Sequence, residues 1–141
     1  MLKDSNVAAV RALYAQIDQA QSMAPLDEVA DNGYTGYVAG LAPMDRHAMK
    51  AFGEAFFAAC PGLTHTVEEI LVDGDRIAVR LTVRGRQTRP LPTPSGSVPP
   101  SGKSFAAEAI NFFRFASGRI VEQRISFDML GFLQQIGAMP Q

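Results

Sequence analysis

The chain has 141 residues, of which 47% are hydrophobic and 19% charged, a balance typical of a globular protein, and we expect one domain over residues 1–141. Thirteen basic and fourteen acidic side chains give a net charge of -1 without a basic block, which argues against nucleic acid or an anionic membrane as a partner. A small, largely apolar molecule is the expected partner.

Few side chains are available for metal binding or disulfide formation. Cys60 is the one cysteine, and His47 and His65 stand at spacings that do not match a metal site, so we assign none of the three a role. The chain shows no cationic leader and no apolar run of membrane-spanning length. We therefore expect a cytoplasmic protein that contains no metal.

The first half of the sequence predicts helices. Apolar residues recur at helical spacing over 5–20, where Ser5 is a candidate N-cap. A proline opens a short second helix over 25–30, and residues 34–38 are typical of a short strand. Asp45 is a good N-cap for a third helix over 46–59.

The second half predicts a sheet. Residues rich in β-branched and aromatic side chains form four longer strands, over 63–72, 76–88, 103–115 and 119–127. The connections 73–75 and 116–118 have the length and the glycine of hairpin turns, so their flanking strands should pair antiparallel as a meander. A short helix follows the last strand.

The segment 89–102 contains five prolines and several serines and glycines. Because proline cannot donate a backbone hydrogen bond, we expect a long, exposed loop here. A loop of this length is either a lid over a binding site or a tolerated insertion.

Helices followed by an antiparallel sheet indicate the α+β class. The sheet must curl over the three N-terminal helices to cover their apolar stripes, which gives a cone open at one end. Phenylalanines of the strands suit an apolar cavity inside the cone, and part of this aromatic surplus is also compatible with a homodimer interface.

These segments together resemble the SnoaL-like polyketide cyclases and ester cyclases of the nuclear-transport-factor-2-like superfamily. The pieces that carry the resemblance are 10–14, 52–63, 73–80, 99–103, 113–115 and the strand, Asp128 and helix at the C-terminus. The resemblance implies a cone-shaped α+β barrel with a curved antiparallel or mixed sheet, a deep pocket and frequent homodimers. It also implies that Asp128 acts as a general acid/base.

The sequence departs from the family pattern at four positions. Many relatives have histidine at the positions of Tyr37 and Gln87, and tryptophan at the positions of Asp18 and Arg124. The polarity of the pocket should therefore differ from the common pattern, and the substrate cannot be transferred from relatives.

Asp128 has two alternative roles. It directly precedes the last helix, where it is a natural N-cap that accepts backbone N–H bonds. It also stands where a strand passes into a helix at the open end of the sheet, a place suited to a general acid/base. Capping favours the ionised carboxylate, whereas burial in an apolar pocket favours the protonated acid.

Four further residues are candidates for substrate binding. Tyr14 and Tyr37 can donate a phenol hydrogen bond to a carbonyl oxygen, and Asn111 is an unexpected amide within an apolar strand. Arg124 shares strand parity with Asp128 and either holds a substrate oxygen or pairs with Glu122 on a solvated surface.

Two main functions are compatible with these residues. In the first, Asp128 removes a proton from a carbon beside a carbonyl, and intramolecular aldol ring closure follows without a cofactor. Isomerisation and epoxide opening are variants, and epoxide opening would use Glu122 or Asp18 as a second acid. In the second, the protein binds an apolar or polyketide-like ligand without chemistry. A dimerising module with a filled barrel is a third, weaker alternative.

Overall fold

The computed structural model describes residues 2–139 as four helices and seven strands. The helices are α1 (Leu2–Ala20), α2 (Leu26–Val29), α3 (Arg46–Ala59) and α4 (Met129–Gln135). The strands are β1 (Ala30–Val38), β2 (Thr64–Asp73), β3 (Arg76–Arg86), β4 (Leu91–Thr93), β5 (Gly96–Val98), β6 (Ser104–Ala116) and β7 (Arg119–Phe127). None of the helices described is long and apolar enough to cross a membrane.

Helix α1 buries the apolar stripe that its spacing predicts. Val10, Leu13, Tyr14 and Ile17 are all buried. The N-cap predicted at Ser5 is wrong, because Ser5 lies inside a helix that already includes Leu2. Local patterning therefore identifies the face of this helix but not its start.

Helix α3 agrees with its prediction at the N-terminus. The side chain of Asp45 accepts the backbone N–H of Ala48 at 2.8 Å, which satisfies one of the free donors of the first turn. The helix buries Met49 and Phe57 against the core. It forms one wall of the interior beneath the sheet.

The second helix and the first strand differ from the prediction. Helix α2 ends at Val29, and Ala30 already belongs to β1, where it pairs with Ile120. This pairing joins distant parts of the chain, so the local pattern of residues 25–38 cannot predict it. The guanidinium of Arg119 also donates to the carbonyl of Ala30 at 2.5 Å and holds the junction in place.

The main sheet has the strand order β1-β7-β6-β3-β2. The four long strands form the predicted antiparallel meander, and β1 adds to β7 in parallel, which makes the sheet mixed. Helices at the N-terminus, a curved mixed sheet and a short C-terminal helix confirm the expected fold class.

Side chains alternate between the two faces of the sheet. In β6 every second residue is buried, from Phe105 to Phe115, and most of the residues between them are exposed. Bulges in β2 after Val67 and in β7 opposite Arg114 interrupt the register and bend the sheet. The concave face consequently points toward α1 and α3.

The proline-rich segment 89–102 is not the plain exposed loop that its composition predicts, since it contains the hairpin formed by β4 and β5. Buried Gln87 organises it. Its Nε2 donates to the carbonyls of Arg89 and Pro99 at 3.1 and 3.0 Å, and its Oε1 accepts the backbone N–H of Ser101 at 3.1 Å. One side chain thus supplies hydrogen bonds that the prolines cannot.

We predict that Gln87→Leu destabilises the protein by about 1–3 kcal/mol, because it leaves part-buried backbone groups of the loop without their partner. Urea unfolding measures the effect, and limited proteolysis should then cut within 89–102. The control Gln16→Leu changes an exposed glutamine of α1 and should alter stability by less than about 0.5 kcal/mol. Equal stability of the two variants would contradict the proposed anchor.

Candidate functional site

A cavity of about 130 Å³ lies between the concave face of the sheet and the helices α1 and α3. Its wall is mostly apolar, with Met49, Phe52, Phe56 and Phe127 among the lining residues. An engineered protein cavity of about 150 Å³ holds one benzene molecule, so the void here has the size of a single six-membered ring. Four polar side chains also reach it, those of Tyr14, His65, Asn111 and Gln123.

His65 is paired with Asp18 at the edge of the cavity. Asp18 Oδ1 lies 2.7 Å from His65 Nδ1, and Asp18 Oδ2 accepts the backbone N–H of His65 at 2.6 Å. A carboxylate at this distance accepts a hydrogen from Nδ1, so in the neutral imidazole the lone pair is on Nε2. Within residues 2–139, Nε2 has no protein partner, and the imidazole lines the cavity. A histidine whose second nitrogen is held by a carboxylate in this way has the arrangement that a general base requires.

A second side chain, that of Gln21, fastens the end of α1 to the residues just before β2, beside this pair. Gln21 Nε2 donates to the carbonyls of Asp18 and Leu63, both at 2.9 Å, and its Oε1 accepts the backbone N–H of Gly62 at 2.7 Å. Gln21 itself has a positive φ of 51°, which ends the helix at this point. These contacts hold Asp18 against the first residues of β2.

The hydroxyl of Tyr14 is buried in the cavity wall, and it has no hydrogen-bond partner in the part of the chain described. Its ring packs against His65, with 5.4 Å between centroids. Burial, followed by the nearby Tyr34 and Asp18, raises the pKa of Tyr14 far above its usual value, so the hydroxyl keeps its hydrogen. A buried donor without a partner is suited to a bound molecule.

A buried chain of hydrogen bonds crosses three neighbouring strands. The hydroxyl of Tyr34 on β1 donates to Gln123 Oε1 on β7 at 2.6 Å, and Gln123 Nε2 donates to Asn111 Oδ1 on β6 at 2.8 Å. Gln123 and Asn111 face the cavity. Of the four residues predicted to bind substrate, the structure therefore brings Tyr14 and Asn111 to the cavity.

Tyr37 and Arg124 lie on the outer face of the sheet and do not line the cavity. The guanidinium carbon of Arg124 stands 4.1 Å from the centroid of the Tyr37 ring, and Arg124 Nε donates to Glu122 Oε2 at 2.8 Å. This hydrogen bond is the main cause of the lowered pKa of Glu122. Arg124 and Asp128 point to the same side of the sheet, as the sequence predicts. This side is the outer face and not the interior of the cone.

Asp128 is exposed and caps α4, with its Oδ1 accepting the backbone N–H of Gly131 at 2.9 Å. Phe127 and Met129 line the cavity and Asp128 does not, because alternation turns it to the other side. A Cβ at position 131 would collide with the Asp128 carboxylate, so glycine leaves room for the cap. The cavity-facing position expected for Asp128 is thus not observed, and its catalytic role stays a prediction.

Sequence reasoning gave no role to His65, Gln123 or Tyr34, and it considered Asp18 only as a second acid. The pair formed by Asp18 and His65 joins residues 47 positions apart, so spacing carries no signal for it. The sequence does contain one indication that Asp18 lies near the cavity. Asp18 follows Tyr14 by four positions and therefore lies on the same face of the helix.

Neither a metal nor a thiol nucleophile is indicated at this site. Residues 2–139 contain no group of three histidine, cysteine or acidic side chains arranged to hold a metal ion. Cys60 is buried, and burial raises the pKa of its thiol to about 11, which suppresses the reactive thiolate.

Comparison with known proteins identifies a family. The model of the SnoaL-like polyketide cyclase family matches residues 8–136. The chain has no significant match among curated proteins.

Several solved structures are similar over nearly their whole length. A SnoaL-like candidate polyketide cyclase from Jannaschia sp. CCS1 is 25% identical, with a TM-score of 0.84 over 99% of this chain and 96% of that one. IdmH from Streptomyces antibioticus, a candidate polyketide cyclase, is 28% identical, with a TM-score of 0.76 over 94% and 98%. AclR from Streptomyces galilaeus, a candidate hydroxylase, shares the fold at 21% identity, with a TM-score of 0.84 over 98% and 99%.

Removal of the hydroxyl group should affect stability differently at the two buried tyrosines, Tyr14 and Tyr34. Tyr14→Phe removes an unpartnered hydroxyl and should leave stability unchanged or raise it by up to about 1 kcal/mol. Tyr34→Phe leaves buried Gln123 Oε1 without its donor and should cost about 1–3 kcal/mol. Urea unfolding at neutral pH measures both, with Tyr37→Phe on the outer face as the control. A larger loss for Tyr14→Phe than for Tyr34→Phe would show that Tyr14 has a partner.

Proposed function

The chain belongs to the SnoaL-like polyketide cyclase family, and on this basis we propose that it is an acid–base enzyme acting on a small, largely apolar carbonyl compound. The single observation that carries this proposal is the imidazole of His65, which lines a ring-sized apolar cavity while Asp18 holds its other side. Histidine is the commonest general acid/base because imidazole exchanges protons readily near neutral pH.

His65 Nε2 is placed to take a proton from a carbon adjacent to the substrate carbonyl. The electron pair of the broken C–H bond moves into the carbonyl group and forms an enolate. Asp18 stabilises the imidazolium that results, since its carboxylate already accepts the Nδ1 hydrogen at 2.7 Å. The apolar wall keeps water from competing for the proton.

The enolate oxygen needs hydrogen-bond donors as its charge develops. Tyr14 and Asn111 supply donors in the same cavity, the Tyr14 hydroxyl having no protein partner within residues 2–139. The enolate then has two fates. Return of the proton to a different carbon gives an isomer. Attack of the enolate carbon on a second carbonyl of the same molecule gives a ring, and the alkoxide formed takes the proton back from His65.

Asp128 is the alternative base that the resemblance implies. In this chain its carboxylate is engaged by the backbone of Gly131 and exposed, so we assign the proton transfer to His65 and a stabilising role to Asp128. Epoxide opening receives less support. Asp18 is committed to His65, and Glu122 pairs with arginines on the outer face.

We predict that His65→Asn lowers turnover by about 10²–10⁴-fold, the usual contribution of a general base. Asp18→Asn should lower it by a smaller factor, because the base remains but loses its orientation. A suitable probe is cyclohex-3-en-1-one, whose isomerisation to the conjugated ketone changes its ultraviolet absorbance, with deuterium uptake from D₂O followed by NMR.

The control His47→Asn changes an exposed histidine and should retain full activity. Asp128→Asn should also retain turnover once its folding is verified. Loss of turnover in Asp128→Asn together with full activity in His65→Asn would transfer the base to Asp128. Binding of cyclohex-3-en-1-one and other monocyclic ketones without turnover by the wild-type protein would favour a non-catalytic ligand-binding protein.

We further propose that the protein is a homodimer that associates through the outer face of the sheet. Phe112, Ile110 and Leu71 on this face are 45%, 44% and 64% exposed. Ion pairs such as Arg80 with Glu69 surround these apolar side chains, and three arginines and three glutamates alternate across the face. A second copy related by a twofold axis can oppose unlike charges across such a surface.

The oligomer is tested by size-exclusion chromatography with light scattering. Wild-type protein should have the mass of a dimer, and Phe112→Glu should be a monomer because a charge replaces the central apolar contact. Leu130→Glu is the matched control, an exposed apolar residue on α4 rather than on the sheet, and should stay dimeric. A monomeric wild-type protein at every concentration would contradict this interface.

A further inference from the structure

The hydrogen bonds from Tyr34 through Gln123 to Asn111 have a fixed direction. Tyr34 has one hydroxyl hydrogen, and Gln123 Oε1, at 2.6 Å, is its one acceptor among residues 2–139. Burial strongly raises the pKa of Tyr34, so this hydrogen stays in place. A reversed Gln123 amide would leave the hydroxyl hydrogen buried without an acceptor, which costs free energy.

The orientation of the hydrogen bond at Tyr34 determines which end of the Asn111 amide is free. With Gln123 Oε1 turned to Tyr34, its Nε2 must face β6, where it donates to Asn111 Oδ1 at 2.8 Å. The oxygen of the Asn111 amide is therefore occupied, and its Nδ2 is the free end. No protein acceptor for this Nδ2 lies within the described residues, and Asn111 lines the cavity while being only 4% exposed.

The cavity thus presents donors at a known place. Asn111 offers two N–H groups, and the unpartnered Tyr14 hydroxyl offers a third hydrogen. The remaining wall is mostly apolar and encloses about 130 Å³. A carbonyl oxygen has two lone pairs and no hydrogen, so it can accept hydrogen bonds from these donors, whereas an alcohol also brings a hydrogen that the N–H groups of Asn111 cannot accept.

We propose that Tyr34 and Gln123 are positioning residues that hold Asn111 as a hydrogen-bond donor, and that this makes the cavity selective for a monocyclic compound with a carbonyl oxygen over the same ring with a hydroxyl group. The inference rests on the cavity of the proposed function and concerns recognition, so binding alone can test it.

The experiment compares cyclohexanone with cyclohexanol, two probes of nearly the same shape, by NMR titration. Wild-type protein should bind the ketone about tenfold more tightly, a difference of about 1.4 kcal/mol. In Tyr34→Phe the amides are free to turn, so this ratio should fall toward one. Gln123→Met breaks the chain without changing Tyr34, and it should have the same effect if Tyr34→Phe does not fold.

Tyr37→Phe on the outer face is the control and should keep the wild-type ratio. If Tyr34 has a purely structural role, Tyr34→Phe should weaken the binding of both probes equally. The ratio of the two affinities would then stay unchanged, and this result would overturn the inference. Equal affinity of the two probes for the wild-type protein, or binding of neither, would overturn it as well.

The two proposals fail in different ways. A protein that prefers the ketone but shows no turnover would contradict the catalytic proposal and support the role of Tyr34 and Gln123 in recognition. A protein with turnover but no preference for the ketone would support the catalytic proposal and contradict the recognition proposal.

Discussion

Alternation of side chains along β3, β6 and β7 places one row of residues against the helices and the next row on the outer surface. A residue in the inner row must be apolar or find a partner, because a buried polar group left without one costs about 1–3 kcal/mol. The bulge opposite Arg114 shifts this alternation in β7, so Gln123 faces inward although it follows buried Ile120 by three residues. The contents of the cavity follow from this geometry.

Polar groups on the inner side are held by contacts between different elements. Asp18 of α1 binds His65 of β2, and Tyr34 of β1 reaches Asn111 of β6 through Gln123. In each case one end of the group is bound to protein and the other end faces the void. Such groups lose little further freedom when a ligand binds, which is the condition for a preorganised site.

The sequence predicted those features that depend on neighbours in the chain. The cap at Asp45, the apolar stripe of α1 and the antiparallel pairing across the turn at 73–75 all depend on local spacing. The parallel addition of β1 to β7 was not predicted, because it is a pairing between distant segments. The sequence assigns no role to His65 for the same reason, since its partner Asp18 is far away in the chain.

The four departures from the family pattern are distributed unevenly over the structure. Gln87 anchors the proline-rich segment, and Tyr37 and Arg124 stack on the outer face, so none of these three lines the cavity. Asp18 does not line the cavity either, but its carboxylate orients the imidazole of His65, which does. A bulky indole at this position would carry no acceptor for His65 Nδ1. Under the proposed function, the departure at Asp18 places the acid–base pair at the contact between α1 and β2 and not at the junction of β7 and α4.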